Sequence, residues 1–167
     1  GDGNAIIYWR EEVGTFVPNE AENQTGELMV RYRNNDGSLE DAKSVSPEGE
    51  DSFNASQEIN KPRIVFHDGK AAITWWGVSN GRNVIYASVM NEKNTWVRTQ
   101  LTASGKSAIL PSISIDSNAE RLGVSWQRTD GLHYRIQSRF YDFNTKKWTP
   151  VHTASDPGGN AIHSDIN

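Results

Sequence analysis

No cysteine occurs among the 167 residues, which removes disulfides, thiolate nucleophiles, zinc–thiolate sites and thiol redox chemistry together. The compartment stays open on that ground, because cysteine-free proteins occur on both sides of membranes. No apolar run approaches the roughly 20 residues of a spanning helix, so membrane insertion is not expected. Basic residues are not in excess: 17 Lys and Arg stand against 21 Asp and Glu, a formal charge of −4. With no Lys/Arg stripe interleaved with aromatics, nothing is arranged to neutralise phosphates, and nucleic acid is excluded as the expected partner. Neither an initiator Met nor a signal peptide opens the chain, and its start is read as processed, cropped or engineered. No segment sustains a helical period of 3.6 residues. What is present is ordinary globular material, 35% hydrophobic and 23% charged, enough for one domain with a real core.

That material repeats. "KPRIVFHDGKAAITW", residues 61–75, runs parallel to "LPSISIDSNAERLGVSW", residues 110–126: Pro, alternating apolar residues, an Asp-bearing turn, a second apolar run and a Trp. Beyond the Trp, "IYASVMNEKNTW" from Ile85 matches "IQSRFYDFNTKKW" from Ile136 as a strand, a polar turn and a Trp opening a further strand. Trp75 to Trp96 spans 21 residues and Trp126 to Trp148 spans 22, which makes a common unit the simplest account. A more worn copy has "AIIYW" ending at Trp9 and "LMVRYRNNDGSL" with Leu39 in place of the second Trp. Its first strand is missing, and "AIHSDIN", residues 161–167, has the pattern to supply it when placed before "GDGNAIIYW". The expectation is that Ala161 to Asn167, of this chain or of a second copy, lies beside the strand containing Ile6.

Four short antiparallel strands per unit of about 50 residues, with a Trp at a fixed place, are the cue for propeller blades. The units resemble the β-propeller repeats of secreted bacterial proteins and sialidase-like propellers. The resemblance implies an all-β fold, a β-propeller built from four-stranded antiparallel blades, three per chain. One domain, 1–167, then divides into blade 1 over about 1–46 plus strand 161–167, blade 2 over about 59–103 and blade 3 over about 109–154. It also implies an extracellular or cell-surface location. Propellers close with four to eight blades, so three leave an apolar face and a strand edge at each end. A homodimer completing a six-bladed ring is the favoured solution; a segment of a longer propeller and a self-closed chain are the alternatives.

Loops between second and third strands, and those linking units, emerge on one side, where the first unit carries extra residues at Val13–Thr25 and Pro47–Lys61. Arg10, Trp76 and Gln127 follow the equivalent Trp residues and point to that side, joined by Arg82, Arg128, Asp130 and His133. An Arg, an acid and an exposed aromatic suit sugar hydroxyls and a carboxylate, with Trp76 as stacking platform; the competing reading packs Trp76 on a neighbouring unit and pairs the arginines at the surface. Trp9, Trp75, Trp96, Trp126 and Trp148 are read as core markers. Catalysis finds no support: "NEKNTW" and "DFNTKKW" depart from the sialidase Asp-box turn, and no residue is assigned a catalytic role. Asp165, Asn167 and Asp2 resemble the front half of a calcium loop across the joined ends, but the distal Glu is absent. His67, His133, His152 and His163 are dispersed without ligand spacing. No metal or cofactor is assigned. The reading is a non-catalytic, lectin-like module that binds glycan and associates with itself, against a ligand-free scaffold or a fragment of a sialidase-like glycosidase.

Overall fold

The alternation of apolar and polar residues, bounded by Asp, Asn and Gly, produces strands almost everywhere it occurs. A computed structural model describes residues 3–12, 26–46, 62–91, 94–103, 105–116 and 118–166. The two long loops expected of the first unit, at 13–25 and 47–61, lie outside the described residues. Among the described residues, twelve strands form three antiparallel sheets. The first sheet holds β1 (Ala5–Glu12), β2 (Gly26–Arg33) and β3 (Lys43–Ser44). The second holds β4 (Arg63–His67), β5 (Lys70–Ser79), β6 (Arg82–Asn91) and β7 (Thr95–Gln100) in that order.

The third sheet is built on β8 (Ala108–Ile115), β9 (Arg121–Thr129) and β10 (Tyr134–Asp142), with β11 (Lys147–Trp148) and β12 (His152–Thr153) both along the outer edge of β10. They are one outer strand interrupted at Thr149 and Pro150. Proline has no N–H for the ladder, and Thr149 fills the break by accepting from Phe140 N through Oγ1 at 3.0 Å. Two-residue turns set the register in the second sheet. Asp68 and Gly69 (φ 47° and 71°) join β4 to β5, and Asn80 and Gly81 (φ 52° and 70°) join β5 to β6. Left-handed backbone at both central positions is what a tight hairpin of matching twist requires.

The sheets stack in a row, and the second strand of each shows why. One face of β5 carries Ile73 and Trp75, which pack with Leu28, Val30 and Val45 of the first sheet. Its opposite face carries Ala72, which packs with Leu122, Val124 and Trp126 of the third. Each internal boundary therefore seats a Trp-bearing face on a face of smaller residues. Trp75 and Trp126 are fully buried as expected, whereas Trp9 is only half-buried, because no described sheet covers the Trp face of β1 and Ile7 beside it is 46% exposed. Trp96 and Trp148 are half-buried as well.

A second repeated feature closes each sheet. The backbone N–H of Val45, Leu101 and Ala154 donates to the carbonyl of Leu28, Ile85 and Ile136 respectively, at 2.8 to 2.9 Å. The next residue, Ser46, Thr102 or Ser155, accepts through its hydroxyl oxygen from the N–H of the same Leu28, Ile85 or Ile136, at 2.7, 3.1 and 3.1 Å. A hydroxyl thus completes the ladder where the outer strand turns away, so that the N–H of Leu28, Ile85 and Ile136 each has an acceptor.

Residues 161–166 do not lie beside β1 of the same chain. They run over the outer face of the third sheet: Ala161 N donates to Tyr134 O at 3.0 Å, Ser125 Oγ meets Ser164 Oγ at 3.1 Å, and Ser112 Oγ donates to Asp165 at 2.6 Å. Gly123 lets Ile166 approach closely, since a Cβ there would stand 2.5 Å from Ile166 Cδ1. The self-closed arrangement is not the one this chain adopts; β1 pairs β2 along one edge, and no strand pairs its other edge among the described residues.

Candidate functional site

The β9–β10 hairpin gathers three of the six residues singled out in the sequence. Asp130 follows β9 and accepts from Leu132 N at 2.9 Å and His133 N at 2.8 Å, while Arg135 Nε pairs with its other oxygen at 2.9 Å. The N–H groups of His133 and Leu132, with Arg135 adding a smaller contribution, hold the Asp130 carboxyl down at about 2. Its role in this geometry is to fold the loop, and His133 contributes its backbone. Arg135 is likewise committed, donating through Nη1 to Gly159 O at 2.6 Å. Arg128, opposite Arg135 in the register, lines a hollow of about 250 Å³ with Lys106 and Gln137. Arg128 Nε and Gln137 Oε1 are both buried there without a hydrogen-bond partner.

The other three candidates do not join this group. Trp76 is half-buried and packs against the core between the second and third sheets, the competing reading of that residue. Arg10 lies across Gly26, where a Cβ would come within 2.4 Å of its Nε. Arg82 is exposed at the start of β6. Gln127 is buried, its Oε1 accepting from His163 N at 3.4 Å. Of the calcium-like set only Asp165 is described, with Ser112 and Ile166 N–H holding its carboxyl below the usual range; Asn167 and Asp2 lie outside the described residues.

A larger hollow lies at the opposite ends of the strands. About 610 Å³ in volume, it draws Tyr32, Asn34 and Glu40 from the first sheet, Asp68, Lys70, Met90 and Asn94 from the second, and Phe143 and Lys146 from the third. The volume falls in the range of small-ligand sites. Apolar surface comes from Tyr32, Met90 and Phe143; acids, amides and ammonium groups surround it. Part of this lining is fixed in place. Lys70 Nζ donates to Ala119 O at 2.6 Å and stands 5.2 Å from the Phe143 ring centre, and Glu40 accepts from Asn34 Nδ2 at 3.2 Å. Sequence reasoning missed this cleft because its residues come from four separate turns with no common spacing.

The Asp130 geometry makes an acid-side prediction. A carboxyl depressed in the folded chain contributes stability that is present above its ordinary value of 3.8 and is lost as pH falls through about 2. Carboxyl NMR of the folded protein should place the Asp130 midpoint near 2, and the Asp130→Asn variant should lack that step in its acid unfolding curve. A midpoint at the ordinary value contradicts the hairpin geometry.

No protein family, no curated protein and no solved structure matches this chain.

Proposed function

We propose that the chain is a non-catalytic, lectin-like binding module, its three sheets acting as blades of a β-propeller whose ring is closed by a second copy. The observation that carries the binding part is the cleft spanning all three sheets. Tyr32 and Phe143 offer apolar ring surface to a sugar's C–H face, while Asn34, Glu40, Asp68, Asn94 and Lys146 supply donors and acceptors for hydroxyls. The blade reading is supported by the hydroxyl closure repeated in each sheet and by the stacking of Trp faces on small faces. The ring is supported by the two faces left over, the Trp face of the first sheet and the small face of the third. Six blades from two chains lie inside the range in which propellers close. In such a ring, β1 of one copy takes residues 161–166 of the other along its free edge. An extracellular or cell-surface setting goes with this reading.

The Arg128 hollow favours a second placement of the glycan, on the hairpin end, because Arg128 and Gln137, whose Nε and Oε1 are buried without a hydrogen-bond partner, line it together. A glycan array with the wild-type chain tests the module, and two variants separate the placements. Asp68→Asn keeps the turn but removes a cleft charge and should weaken binding about tenfold, leaving Arg128→Ala close to wild type; the reverse order moves the site to the hairpin end. A blank array leaves the scaffold reading, and hydrolysis of a fluorogenic glycoside would overturn the non-catalytic one.

A further inference from the structure

The sheet boundaries inside the chain share a hydrogen bond that the repeat pattern hides, because the donor changes identity. In the second sheet, Ser88 lies opposite Ile73, and its Oγ donates to Val45 O on the outer edge of the first sheet at 3.1 Å. In the third, Arg139 lies opposite Val124 and donates through Nη1 to Leu101 O of the second sheet at 3.4 Å. Ser88 and Arg139 hold the same register position, and Val45 and Leu101 are the equivalent residues that precede the closing hydroxyls. The second and third sheets therefore each reach back to one particular carbonyl of the sheet before.

The corresponding donor in the first sheet is Arg31, opposite Ile7. Its guanidinium stands 5.9 Å from the Trp9 ring centre, and its Nε is buried without a hydrogen-bond partner. The corresponding carbonyl is that of Ala154, which precedes Ser155 in the third sheet. Among the described residues no donor is shown to reach it. No further sheet covers the faces around these two groups among the described residues, and on the third sheet residues 161–166 lie over part of the face. Ile7 is 46% exposed on the donor side, and Phe140 is 39% exposed on the acceptor side. There Phe140, Gly123 and Ile166 line a hollow of about 220 Å³ with Ser114, Asp116 and Arg121.

Deepening the self-association proposed above and resting on it, we propose that the Trp face of the first sheet seats on the outer face of the third sheet of a second copy, with Arg31 donating to the Ala154 carbonyl. The occupant is a second copy because the chain builds this boundary twice within itself, and the two faces that lack a partner sheet are the missing halves of a third. With residues 161–166 transferred from that face to the edge of the partner copy's β1, Ile7 enters over Gly123 and Phe140 as Val124 enters over the second sheet. Two copies placed head to tail satisfy both faces of each and leave no free end.

Sedimentation equilibrium on the full chain and three variants tests this, with circular dichroism confirming that each variant folds. The wild type should run at twice the chain mass, Ile7→Glu as a single chain, and Arg31→Ala with the dimer constant raised about tenfold or more. Val97→Glu, at an exposed position on β7 away from either face, should match the wild type. A two-chain wild type with Ile7→Glu and Arg31→Ala unchanged overturns this docking while leaving self-association intact. A single-chain wild type overturns both.

Discussion

Replacing Trp126 by Ala should lower the free energy of unfolding by about 3–5 kcal/mol. Its side chain is fully buried between the second and third sheets, packed in one cluster with Ala72, Ile85, Ala87 and Leu101. Truncation removes a bicyclic ring from a boundary made of rigid strands, which cannot collapse into the space. Against a total stability of about 5–15 kcal/mol for a domain, that loss is a large fraction of the whole. Urea denaturation followed by circular dichroism reads it as a fall in midpoint of 1 M or more, on the order expected for a slope of about 1–3 kcal/mol per molar. Trp126→Phe should cost less, because the indole Nε1 has no hydrogen-bond partner and leaves with the substitution. Trp9→Ala, on the uncovered face, should barely move an isolated chain. Equal costs at positions 9 and 126 would contradict the stacking order.

The closing hydroxyls should show a graded response. Thr102→Val keeps the shape of the side chain but strands the Ile85 N–H in the core, at a cost of about 1–3 kcal/mol. Ser46→Ala should behave alike, since Ser46 is 9% exposed and Thr102 4%. Ser155→Ala should cost clearly less, because Ser155 is half-buried and water can replace the hydroxyl at Ile136 N. Thermal unfolding of the three variants checks the order. Similar small losses at all three positions would show that the hydroxyls are incidental to sheet closure.

Much of the architecture is legible in the residues because strand alternation and turn chemistry are local. Asp68-Gly69 and Asn80-Gly81 fix hairpins by backbone conformation alone, and the second strands carrying Trp75 and Trp126 advertise two-faced burial. The hydroxyl closure was equally present in the sequence, as Val45-Ser46, Leu101-Thr102 and Ala154-Ser155, but serine and threonine at strand ends look like any turn. The cross-sheet bond was hidden for a different reason. Ser88 and Arg139 share a position and a job without sharing a residue type, so no comparison of letters would align them.

The candidate site was less legible. Asp130 and His133 look like exposed polar groups in a loop, yet the carboxylate of Asp130 is engaged with backbone N–H groups and Arg135. Trp76 reads as an exposed aromatic in the sequence and is half-buried against the core between the second and third sheets. The cleft at the other end depends on how three sheets fan past one another, which brings Tyr32, Asp68 and Phe143 together although no spacing connects them. A site assembled across sheets is a property of the stack, and only the contents of each strand are written locally.

The most direct test of the stack is its mass in solution. Two end faces that repeat the chain's own internal boundaries predict a two-chain species of about 37 kDa, twice the 18.6 kDa of one chain, held at micromolar concentration. Light scattering that returns 18.6 kDa for the folded protein at that concentration contradicts the account.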